Sequence, residues 1–69
     1  MPEPITIERQ IAAVRKEIGI RHRVFPRWVQ AGKMTQQQAD DGIAAMEAAQ
    51  ATLERVRDEQ SAKVAPGLF

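Results

Sequence analysis

"RVFPRWVQAGKMTQQQ", residues 23–38, decides the fold, because it holds a helix stop and a helix start side by side. Pro26 has no backbone donor and its ring disfavours a helical Phe25, so a kink or break is predicted there, with "RWVQA" able to add another turn and a half. Gly32 suits a left-handed terminator, and Lys33 follows it where the helix dipole favours a cation. Thr35-Gln36-Gln37-Gln38 then has the form of a capping box. The Thr35 hydroxyl serves the third amide, and the Gln38 side chain reaches back. One helix must end here and another begin, which predicts an all-α, two-helix antiparallel hairpin.

Toward the N-terminus, "MPEPI" at 1–5 is a poor helix start, and Thr6 is the first plausible N-cap, with Glu8 favoured by the dipole. Ile7, Ile11, Val14 and Ile18 recur at helical spacing and form one apolar stripe. The first helix is predicted over about 7–24 and a kinked turn over about 25–34. A second helix over about 36–64 places Ala39, Ile43, Met46, Ala49 (or Gln50), Leu53 and Val56 on one face. Ala44, Ala45, Ala48 and Ala51 add helix propensity, whereas Gly19 and Gly42 each cost about 1 kcal/mol. Glu54 with Arg57 and Glu59 with Lys63 are spaced to pair along the helix. "APGLF" at 65–69 ends it as a flexible tail.

Sixty-nine residues make one domain, and only nineteen side chains are Val, Ile, Leu, Met, Phe or Trp. So small a core is thin, and small domains are usually reinforced by disulfides, metals or oligomerisation. With no cysteine and one histidine, His22, the first two routes are closed, and no cofactor is expected. Two hairpins paired about a two-fold axis make a four-helix bundle, so a homodimer is expected. Its predicted core is Ile7, Ile11, Val14, Ile18, Ile43, Met46, Leu53 and Val56. Residues 1–34 carry seven Lys/Arg against three Glu, a charge of +4; residues 35–69 carry three against six acids, or −3. That division suits a chain pairing with a copy of itself and weakens a whole-protein nucleic-acid argument. Lack of cysteine, of a signal-peptide pattern and of a membrane-length apolar run predicts a cytoplasmic protein without membrane contact.

Catalytic chemistry has little support. "GKMT" at 32–35 lacks the upstream glycine, and Met34 stands where a phosphate-binding loop has Ser or Thr. His22 has no second His or Cys and sits between arginines, which repel a divalent cation. Asp40 and Asp41 are adjacent on a helix and do not face each other. The chain is therefore read as a non-enzyme. Arg21, Arg23, Phe25, Arg27, Trp28 and Lys33 form the candidate partner-binding stretch. It fits a protein contact, for which Trp and Arg are characteristic. It also fits a nucleic-acid surface, or aromatics that plug the end of the bundle while the arginines are solvated.

The run from Arg23 to Glu54 resembles a group of small phage and prophage proteins. The shared pattern is Arg23, Phe25-Pro26, Val29, the turn Gly32-Lys33-Met34-Thr35, Ala39-Asp40, and Ile43 with Met46. Phe25 stands where the group more usually has tyrosine, and Gly42 where it has an acidic residue. In length and layout the chain is similar to the quorum-sensing anti-activators of Mu-like Pseudomonas phages. The resemblance implies a hairpin homodimer inside the host cell that binds and disables host proteins. The host partners it implies are a LuxR-family transcriptional activator and a pilus assembly ATPase.

Overall fold

The computed structural model of the chain describes residues 4–64, with side chains through residue 62. Two helices, α1 (Ile7–Gln30) and α2 (Gln36–Val64), run antiparallel and pack on one another. Among the described residues there is no strand. Thr6 caps α1 from an extended backbone conformation, its hydroxyl accepting the Arg9 amide at 3.2 Å.

The first correction concerns Pro26. α1 does not stop at residue 24; it runs through Pro26 to Gln30, and the connection shrinks from 25–34 to residues 31–35. Proline removes one donor, but everything else at this point favours continuing. Phe25 is buried and Trp28 stacks against it, centroids 5.6 Å apart, so the turn around the proline is held by packing. The stop comes where left-handed backbone is cheap. Gly32 has φ 75°, its amide donates to the Val29 carbonyl (3.1 Å), and the Lys33 amide donates to the Trp28 carbonyl (2.9 Å). These are the two bonds of a Schellman motif.

The start of α2 is as expected. The Gln38 amide donates to the Thr35 hydroxyl and the Thr35 amide to the Gln38 side chain, both at 3.0 Å. Two orphan donors are satisfied reciprocally.

The hairpin is a slab one helix-layer deep. Its principal extents are 57 × 28 × 15 Å, and its radius of gyration is 16.5 Å, against roughly 11 Å for a compact chain of this length. Among the described residues only Ile11, Phe25 and Ala39 are buried. Ile7, Val14, Ile18, Ile43, Met46, Leu53 and Val56 are all half-buried. Ile11, read as part of a core between copies, is instead enclosed within one hairpin, at 3% exposure.

One expected local ion pair is replaced by a cross-helix one. Glu54 accepts from Arg15 of α1 at 2.8 Å rather than pairing with Arg57, which turns to Asp58 at 3.2 Å. Its carboxyl is held below the usual carboxylate range, chiefly by the Arg15 hydrogen bond and then by the Gln50 amide. Glu59 approaches Arg55 at 3.9 Å. The predicted Lys63 partner and the tail at 65–69 lie outside the described side chains.

Candidate protein-binding site at the hairpin turn

The basic-aromatic stretch divides into an inner and an outer part. Phe25 and Arg21, both read as contact residues, belong to the inner part. Phe25 is 8% exposed, and its ring edge lies where Gly42 leaves room: a Cβ there would sit 3.0 Å from Cε2. Arg21 closes over this junction. Its Nη1 donates to the Gly42 carbonyl and its Nε to Glu17, both at 2.9 Å, while its guanidinium carbon stands 5.6 Å from the Phe25 ring centre. These side chains join the helices, Phe25 buried and Arg21 half-buried over it. The burial has a simple reason: α2 passes Phe25 at a glycine, so backbone and ring can meet directly.

Phe25 and Gly42 therefore touch. An acidic side chain at position 42 would point into the aromatic ring. A missing side chain on one helix accommodates a ring on the other, which sequence spacing alone could not show.

Arg23, Arg27, Trp28 and Lys33 make up the outer part, and all four are exposed. Trp28 is 43% exposed, yet its inner edge rests on Phe25 at an interplanar angle of 31°, so the indole is braced rather than loose. The Schellman bond from the Lys33 amide to the Trp28 carbonyl holds Lys33 to the same turn. Arg23, Arg27 and Lys33 form no ion pair among the described residues. An exposed, backed tryptophan among uncommitted cations can offer a large apolar contact and several charge-assisted donors together.

Residues passed over in the sequence reading are Ile20 and Val24. With Trp28 they recur at intervals of four and form a second line on α1, set apart from the Ile11–Ile18–Phe25 line. Both are half-buried. The four-residue spacing was the available signal, but the stronger isoleucine stripe obscured it.

His22 is exposed and 4.0 Å from Glu47, and Asp40 accepts from the Gln36 amide at 3.0 Å. Among the described residues, no group of three His, Asp or Glu is placed to hold a metal, and no helix is long and apolar enough to cross a membrane.

The fold and site define a small helical hairpin bearing an aromatic-cationic turn. No protein-family description, curated protein or solved structure matches this chain.

Proposed function

We propose that this chain is a non-enzymatic, phage-encoded inhibitor that acts inside the host cell by binding host proteins, as a homodimer of hairpins forming a four-helix bundle. The observation that carries the reading is Trp28, left 43% exposed on a rigid aromatic support beside three uncommitted cations. Large exposed aromatics with neighbouring arginines are typical centres of protein contacts. The resemblance to the phage anti-activators names the first partners to test, a LuxR-family activator and then a pilus assembly ATPase. Homodimer formation is supported by the one-layer slab, since a helical domain ordinarily needs a second layer to cover its apolar face.

Trp28→Ala tests the site. Binding to the host protein should weaken by about 2 kcal/mol or more, the scale of a hot spot, with the melting curve little changed. A variant that melts like the parent and binds as well would defeat the reading. Capture from host lysate with and without nuclease separates the rival, a nucleic-acid-binding protein using residues 21–33. Replacing Arg23 and Arg27 would then reduce the salt slope by roughly one unit per lost phosphate contact.

A further inference from the structure

The hairpin has two broad faces of different chemistry. The cross-helix pairs Arg15–Glu54 and His22–Glu47 bridge one of them. Helix periodicity puts Val14 and Val24 of α1 with Ala49, Leu53 and Val56 of α2 on the other, with Trp28 at its rim in the last turn of α1 beside the hairpin turn. Arg21 reaches the Gly42 carbonyl on that second side, and its charge is already closed on Glu17 at 2.9 Å. None of those six apolar side chains is buried. The chain exposes 5549 Å², whereas a compact monomer of 7.7 kDa exposes roughly 4,300 Å².

Charge selects the occupant and its orientation. The edge of α1 away from α2 carries Arg9, Lys16, Arg23 and Arg27, with no ion pair among the described residues. The corresponding edge of α2 carries Asp41, without an ion pair among the described residues, and Glu59, which stands 3.9 Å from Arg55 on the same helix. The pairs Arg15–Glu54 and His22–Glu47 set the register of the helices. In that register Arg9 stands beside Glu59 in level along the hairpin, and Arg27 beside Asp41. Within one hairpin these edges lie on opposite sides and cannot meet.

We infer that a second copy covers the apolar face with α1 of each hairpin over α2 of the other. The two-fold axis then runs along the helices, and both hairpin turns lie at the same end. Levels are preserved about such an axis, so Arg9 meets Glu59 of the second copy and Arg27 meets its Asp41. The other face-to-face arrangement stacks α1 on α1 and opposes two rows of cations. With the turns together, two copies of Trp28, Arg23 and Lys33 form one composite surface, which a single hairpin offers only in half. This rests on the dimeric reading above but is tested without any host protein.

The chain has no cysteine, so Gln37→Cys, at an exposed position beside the turn, takes one spin label per copy. Distance measurement on the dimer should give a separation below about 30 Å, whereas turns at opposite ends would stand about 40 Å or more apart. Arg27→Asp and Asp41→Arg should each weaken dimerisation several-fold in sedimentation, and the double exchange should restore it to within about two-fold. A long label distance, tighter dimerisation by Arg27→Asp, or a folded wild-type monomer at tens of micromolar concentration would each overturn the inference. A dimer with these properties that captures no host protein would leave it standing and count against the functional reading alone.

Discussion

The two faces of the hairpin solve the same packing problem in different ways. On the ion-paired face, Arg15 reaches Glu54 and His22 stands near Glu47, and the residues around them are mostly small or charged, among them Ala12, Gly19, Ala44 and Ala51. Small side chains and flexible charges leave nothing that water must be kept from. On the opposite face Val24, Leu53 and Val56 are only half-covered, and Trp28 is exposed. Side-chain size separates them: alanine leaves little apolar area outside the seam, whereas branched and aromatic side chains extend beyond the reach of one neighbouring helix. One face is closed within a single hairpin, and the other is the face the proposed dimer covers.

The most severe test removes the junction common to both faces. Phe25→Ala should destabilise the fold by about 3–5 kcal/mol, the usual cost of deleting a buried aromatic. In so small a domain, circular dichroism should report loss of most helix at room temperature. Retained melting would mean that the hairpin is held mainly elsewhere.

Placing the same charge on each face sharpens the contrast. Leu53→Asp should dissociate the proposed dimer and unfold the chain together, because a charge buried without a partner is costly. Ala51→Asp, at an exposed position on the ion-paired side, should shift stability by no more than about 0.5 kcal/mol. Equal effects from the two variants would abolish the distinction between the faces.

The glycines give a smaller, signed version of the same test. A Cβ at Gly19 meets nothing within 4 Å, so Gly19→Ala should raise stability by up to about 1 kcal/mol. At Gly42 the same propensity gain is set against a Cβ 3.0 Å from the Phe25 ring, so Gly42→Ala should gain nothing or lose. Thermal melts of the two single variants decide this.

Acid titration should give the smallest effect. The Glu54 carboxyl is held below its ordinary range, first by Arg15 and then by Gln50, so the folded state favours its charged form. Its contribution is present above the unfolded value, near 4.3, and is lost as pH falls through the lower folded value. Glu54→Gln should therefore lower stability slightly at neutral pH, leave it unchanged at low pH and so flatten the acid limb, with a small amplitude because the pair is exposed to solvent.

Local signals made much of the fold legible. Thr6, Gly32 and the Thr35–Gln38 box act through bonds to amides or carbonyls no more than five residues away, so their geometry is written in adjacent letters. Pro26 was misleading for the complementary reason. Its local cost is real, but contacts of Phe25 with a helix many residues distant outweigh it. Glu54 behaved similarly: Arg57 was near in sequence, yet Arg15 was near in space.

The sequence alone determined two helices, their caps and the turn between them, because these depend on backbone chemistry within a few residues. It also set the charge of each helix, six cations against two acids on α1 and three against six on α2. Only the tertiary structure decided which aromatic is structural and which is displayed. Phe25 and Trp28 are three residues apart and chemically alike, but Gly42 opens a space in α2 opposite only one of them. That choice depends on the register of two helices, which distant side chains establish together and no single stretch of the chain encodes.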